Sequence, residues 1–151
     1  MKKLAILLFA TILTVGCASK KTTAAMQKNI DLVSFEYEAM TRGNFKKVIV
    51  TQDSIITIKD RDMRDVVKNT ISKTDWESMV KALDKVNLES IETLEPPSKK
   101  HQYDGALAAY LLVTKTENSY RSSTFDHGAP PVALKPLVDK IIEVSDLPKT
   151  K

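Results

Sequence analysis

Hydrophobic and polar positions alternate from Val33 to Ala39, with Val33, Phe35, Tyr37 and Ala39 on one side and Ser34, Glu36, Glu38 and Met40 on the other. A period of two carried by β-branched and aromatic residues predicts a half-buried strand. Arg42-Gly43-Asn44 predicts a turn, because Gly and Asn tolerate positive φ. Phe45–Thr51 then reads as a second strand, Val48 and Val50 facing opposite to Ile49. After Gln52-Asp53, Ser54–Lys59 reads as a third, with Ile56 and Ile58 inward, which completes an antiparallel meander. The alternating charges of Asp60–Asp65 suit a hairpin end, and Val66–Ile71 reads as a fourth, edge strand in preference to a short helix.

The period then changes. Trp76, Met79, Val80, Leu83 and Val86 follow helical spacing, opposite Lys81, Asp84 and Lys85. Thr74-Asp75-Trp76-Glu77 predicts a capping box at the start of this helix, and Asp75 in its first turn suits the dipole. Asn87 is the predicted stop, and Trp76 belongs to the core by its register. Leu88–Leu94 reads as a short irregular or one-turn segment ending at Glu95-Pro96-Pro97, and Ser98–Gly105 as a polar loop. Ala106–Thr114 is apolar on both faces and predicts a central strand, which Glu117-Asn118 turns into a more polar outer strand, Tyr120–Phe125. Asp126–Pro131 predicts a rigid loop. Leu134, Leu137, Val138, Ile141 and Ile142 mark a closing helix that begins near Lys135, holds Pro136 in its first turn and ends at Pro148. The order βββ(β)α-ββα predicts an α+β fold, an antiparallel sheet of five to six strands with two helices packed on one face.

Ahead of this domain the pattern is of another kind. Lys2 and Lys3 precede the apolar run Leu4–Val15, which falls short of the roughly 20 residues a membrane-spanning helix needs. A charged start, a short apolar run and small residues at its end describe a secretory signal. The run closes on Thr14-Val15-Gly16-Cys17, and Cys17 is the only cysteine in the chain. This arrangement resembles the lipobox of bacterial lipoproteins, with Thr14 where that family favours Leu. The resemblance implies cleavage between Gly16 and Cys17, and a diacylglyceryl thioether with an N-acyl chain on Cys17. It also implies outer-membrane sorting, since Ala18 rather than Asp follows the cysteine; the periplasmic and external faces stay equally open. Several acyl chains, at about 0.8 kcal/mol per buried CH₂, make a stable anchor. The expected organisation is a signal peptide over 1–16, a lipidated tether over 17–30, one globular domain over 31–148 and a tail over 149–151. Ala18–Asn29 is polar, small and aperiodic, as a flexible tether requires, and Lys20 and Lys21 add about 1 kcal/mol each at most against anionic headgroups.

The anchor changes how charge is read. The chain of 151 residues carries a formal +4, which invites a nucleic-acid partner. Five of its 23 basic residues lie before Asp31, however, and all 19 acidic residues lie from Asp31 onward. The domain therefore holds 18 basic and 19 acidic residues, a net −1, and lacks the cationic excess that phosphate binding demands. With Cys17 acylated no thiol remains, so the fold is expected without disulfides, cysteine-ligated metal or a cysteine nucleophile.

Candidate chemistry is sparse. His101 and His127, the only histidines, sit in polar loops near Asp104 and Asp126, at the open end of the Ala106–Phe125 hairpin. These four are the candidate metal ligands, although no motif pins them to one element and solvated loop histidines are the expectation. Ser122 or Ser123 with His127 and Asp126 supplies the residue types of a catalytic triad without a nucleophile elbow or glycine-rich oxyanion loop. Glu36 and Glu38 share one strand face as a carboxylate pair that is expected to be solvated. His127, Gly128, Pro130 and Pro131 form a stiff, partly apolar stretch that reads as a contact loop or as a simple helix entry.

The domain as a whole is similar to small lipoprotein domains of Gram-negative bacteria. It also resembles emfourin-type inhibitors of thermolysin-like proteases, in which a strand such as Phe35-Glu36-Tyr37-Glu38 enters a glycine turn, here Arg42-Gly43-Asn44-Phe45, before a meander and a helix. That likeness covers residues 33–125 and transfers no inhibitory residue. The expected function is a lipid-anchored, non-enzymatic binding or structural domain, partnered by the membrane and by another envelope protein, with no cofactor beyond the lipid on Cys17. The alternatives are a protease-inhibitor-like module and a metal-binding or hydrolytic domain using His101 and His127.

Overall fold

The computed structural model describes residues 33–145 and Leu147; the expected signal peptide and tether, Pro148 and the 149–151 tail lie outside the described residues. The opening alternation forms β1 (Val33–Met40), followed by β2 (Phe45–Val50), β3 (Ser54–Ile58) and β4 (Val66–Thr70). Helix α1 (Lys73–Leu83) leads through 3-10 turns at Leu88–Thr93 and Lys100–Tyr103 to β5 (Ala108–Lys115). Then come β6 (Asn118–Arg121), β7 (Phe125–Asp126), a 3-10 turn at Val132–Leu134 and α2 (Lys135–Val144). The strands form one sheet in the order β4-β3-β2-β1-β5-β6, with β7 also paired to β5, and every pairing is antiparallel.

The α+β expectation holds in its main terms, with seven strands rather than five or six. The extra strand arises because Tyr120–Phe125 is not continuous. Ser122 keeps its main-chain bond to the Leu111 carbonyl, at 2.8 Å, but its hydroxyl takes the place of a carbonyl and accepts from the Leu111 N–H at 3.0 Å. Ser123 turns away, its N–H donating to the Ile91 carbonyl and its hydroxyl to that of Leu94. β6 ends there, β7 restarts the ladder at Phe125, and the 3-10 turn of Leu88–Thr93 seals this side of the sheet.

Register sorts the side chains. Phe35 lies between Val50 and Val113, and Tyr37 between Val48 and Leu111, so the buried apolar residues of three strands share one face. Both helices cover it with Trp76, Met79, Leu83, Leu137, Val138, Ile141 and Ile142, and the rings of Phe35 and Trp76 meet at 5.6 Å. Lys140 ties the helices together through a 2.7 Å ion pair to Asp75. β3 reverses the facing expected of it. Ile55 and Thr57 pair with Val50 and Val48 and face the helices, whereas Ile56 and Ile58 join Ile49 and Lys47 on the opposite side. The Thr57 hydroxyl donates to the Ser145 carbonyl at the end of α2, at 3.0 Å. The run Ile55-Ile56-Thr57-Ile58 is compatible with either phase, and the Gln52-Asp53 turn selects this one by setting Val50 opposite Ile55.

The helix also begins earlier than expected. Ser72, not Thr74, is the N-cap: its hydroxyl accepts from the Asp75 N–H at 3.1 Å and donates to the Asp75 carboxylate at 2.6 Å. Helix α1 stops at Leu83, and Asn87 instead caps the following 3-10 turn by accepting from the Glu89 N–H. β4 is the edge strand expected, and all five of its residues are exposed. Pro136 sits in the first turn of α2, as its missing N–H requires. Replacing the true N-cap, Ser72→Ala, is expected to cost about 1 kcal/mol in urea unfolding. Thr74→Ala, inside the first turn, should be neutral or slightly stabilising, and equal losses from the two would refute this cap.

Candidate functional site

The polar residues singled out in the second half of the chain converge on one corner, where β5 and β7 meet the loops around them. Asp126 pairs with Ala108 and is 3% exposed. Its carboxylate accepts from the Ser98 hydroxyl, from the Lys100 N–H at 3.0 Å, from the His101 N–H at 2.8 Å and from His101 Nδ1 at 2.6 Å. An ionised carboxylate only accepts, so Nδ1 of His101 carries the proton. Burial alone would raise this carboxyl; the bonds from Ser98, His101 and Lys100 outweigh it and hold it well below the usual carboxylate range. Asp104 closes the 3-10 turn with left-handed backbone, φ 60°, and is exposed, so His101 pairs with Asp126 rather than with its sequence neighbour.

His127 points to the other side of the sheet. Successive strand residues face opposite ways, and Nδ1 of His127 meets the Tyr37 hydroxyl at 2.7 Å within the core. Burial pushes the Tyr37 phenol far up, so it stays protonated in this contact, and the Gly128 main chain, bonded to the same oxygen, offsets that rise only in part. The Ala129 N–H donates to the Asp126 carbonyl at 2.8 Å, and Gly128 takes φ 79° at the third position of that turn, where a side chain would be strained. His127, Pro130 and Pro131 are buried and Gly128 and Ala129 partly so. The expected contact loop therefore closes the core instead of presenting a surface.

The triad residues are likewise dispersed. Asp126 engages His101, His127 engages Tyr37, and the hydroxyls of Ser122 and Ser123 bond main-chain groups. Ser98 donates to the carboxylate rather than to an imidazole. Among the described residues no group of three or more His, Cys, Asp or Glu side chains is placed to hold a metal ion.

A second polar cluster lies on the face of the sheet opposite α1 and α2. Lys47 Nζ reaches Glu36 at 2.6 Å and Glu38 at 3.6 Å, so the expected carboxylate pair is bridged by a cation. Burial lowers the Lys47 ammonium, but the bond and charge of Glu36 and the charge of Glu38 prevail and raise it above its ordinary value. Tyr110, directly across from Glu38, is pushed up by its own burial and by that carboxylate, and the Arg121 guanidinium lies 4.1 Å over its ring. No protein-family model, curated protein or solved structure matches this chain. Function must therefore be argued from these two clusters and from the N-terminal motif.

Several members of the clusters escaped sequence reasoning. Lys47 was within reach: a loop of four residues between Met40 and Phe45 places it opposite Glu38. The partners Tyr37 and Ser98 lie far along the chain from His127 and Asp126, and no spacing rule links them. Gly16 and Cys17 lie outside the described residues.

The corner makes two measurable predictions. Removing the carboxylate by Asp126→Ala leaves buried donors without an acceptor and is expected to cost about 3 kcal/mol in urea unfolding. The depressed Asp126 carboxyl also contributes stability that is complete above its unfolded value of about 3.9 and is lost as pH falls below it. Unfolding free energy should accordingly drop between about pH 5 and pH 2, and Asp126→Asn should shrink that drop. An unchanged slope in the variant would refute the assignment.

Proposed function

We propose that this chain is a lipid-anchored envelope lipoprotein whose folded domain is a non-enzymatic binding module facing the periplasm or the cell exterior. The observation that carries the reading is Lys2-Lys3, the short apolar run Leu4–Val15, and Gly16-Cys17 with Cys17 the only cysteine. Such a run is suited to export and to processing at Gly16-Cys17, not to spanning. Acylation of Cys17 then holds the domain at the outer membrane without a membrane-spanning helix, and among the described residues no helix is long and apolar enough to cross one.

The use of the polar side chains favours binding over catalysis. Asp126, His101, His127, Ser122 and Ser123 supply the residue types of hydrolytic or metal chemistry, and each serves a bond that holds loop to sheet or strand to strand. The near-neutral domain suits a protein partner in the envelope better than a polyanion.

Cys17→Ser tests the anchor in a Gram-negative host fed labelled palmitate. The native chain is expected to take up label and to sediment with outer membranes, and the variant to lose both. Lipid label retained by the serine variant would refute the proposal.

A further inference from the structure

The fold gives its methionines unequal surroundings. Three of the chain's five, Met40, Met63 and Met79, lie among the described residues. Met79 is fully buried in the layer between α1 and the sheet. Met40 ends β1 partly buried, and Nη2 of Arg61 donates to its Sδ at 3.4 Å. The same guanidinium donates to the Thr41 carbonyl at 3.2 Å and lies 5.9 Å from the centre of the Phe45 ring, so several partners hold it against that thioether. Met63 is the opposite case. It is 63% exposed in the hairpin that joins β3 to β4, on left-handed backbone with φ 55°. Its N–H donates to the Asp60 carbonyl at 3.3 Å, and the Asp60 carboxylate accepts from the Arg64 N–H at 3.0 Å and the Asp65 N–H at 2.6 Å. Main-chain groups and Asp60 therefore shape this turn, and the Met63 side chain is left out of those bonds.

We propose that Met63 is an oxidation site, at which a hydroperoxide converts the thioether to the sulfoxide ahead of Met40 and Met79 while the hairpin keeps its shape. In this step a lone pair on Sδ attacks one oxygen of hydrogen peroxide, and the O–O bond breaks as the S–O bond forms. The sulfur loses two electrons to the peroxide. The proton on the transferred oxygen passes to the leaving oxygen, which departs as water. The lone pair must therefore be accessible and electron-rich, as it is at Met63. At Met40 the Arg61 N–H occupies the sulfur as an acceptor and its cation draws electron density away. At Met79 the oxidant has no approach until the domain opens, and a sulfoxide there would bury an unpaired dipole. Oxidation at Met63 strains no core contact. It does change the surface, because Met63 is the most exposed of three apolar residues on this hairpin, with Val66 and Val67 beyond it on β4. The sulfoxide puts a polar hydrogen-bond acceptor in place of that thioether. The site lies wholly within the folded domain and calls on no anchor.

The test treats the full chain with hydrogen peroxide and follows the peptides carrying Met40, Met63 and Met79 separately by mass spectrometry. Met63 is expected to gain oxygen on the order of tenfold faster than Met40, and Met79 to stay unmodified until urea unfolds the domain. Arg61→Ala should speed Met40 severalfold and leave the Met63 rate, the internal reference, where it was. Chain oxidised at Met63 alone should unfold at the same urea concentration as untreated chain. Met40 or Met79 reacting as fast as Met63 in the native chain would overturn the site. A Met40 rate that Arg61→Ala does not move would overturn the shielding by Arg61. A urea midpoint lowered by the Met63 sulfoxide would overturn the claim that its side chain takes no part in holding the hairpin.

Discussion

The pairing of β1 with β5 holds the molecule together. β1 is the first element of the domain, yet it lies in the interior of the sheet, bonded to its sequence neighbour β2 on one side and to the distant β5 on the other. Each half of the chain supplies a local antiparallel unit and one helix. Neither helix has a complete surface to cover until Phe35, Tyr37 and Ala39 stand beside Val113, Leu111 and Ala109. Closing so long a loop costs entropy before the non-local contacts can offset it. The offsetting term is the apolar layer in which Met79, Leu137 and Ile141 meet those strands, worth roughly 1.5–3 kcal/mol for each large side chain fully buried.

Asp126 is the second constraint, and its bonds are what gather the polar residues of this corner. The 98–101 loop crosses the sheet corner with main-chain N–H groups that need acceptors, and one carboxylate serves the loop's amides, hydroxyl and imidazole together. On the opposite face, Tyr37 and His127 perform the matching task inside the core. A buried carboxylate is tolerable only when its charge is met by several donors. Once it is, its lone pairs are committed to the fold.

Strand and helix identities were legible wherever one phase of the pattern dominated. The clean alternation of Val33–Met40 and the stripe Leu134–Ile142 needed no tertiary information. β3 was illegible because Ile55, Ile56 and Ile58 make both of its faces apolar, which leaves register to a turn two residues away. The N-cap was ambiguous for a related reason: Ser72…Asp75 and Thr74…Glu77 both satisfy the capping-box spacing, and only the actual first turn chooses. The split of Tyr120–Phe125 depends on carbonyls of the Leu88–Leu94 segment, and the His101–Asp126 pair on loops brought together from afar. Those are tertiary facts, and no local periodicity carries them.

The face opposite α1 and α2 shows how a modest interaction can decide architecture. Ile49, Ile56 and Leu112 flank its centre, and an apolar centre would make it a suitable bed for a third layer. Glu36, Lys47 and Glu38 occupy that centre instead, with Tyr110 and Arg121 beside them. Only 19% of the Lys47 side chain, 24% of that of Glu36 and 11% of that of Glu38 are exposed, so desolvation offsets much of the attraction within these pairs. Covering them would be far more unfavourable, because a packed helix would strip water from three charges at once. The cluster thus acts mainly by exclusion. Among the described residues it keeps α1 and α2 together on the other side of the sheet.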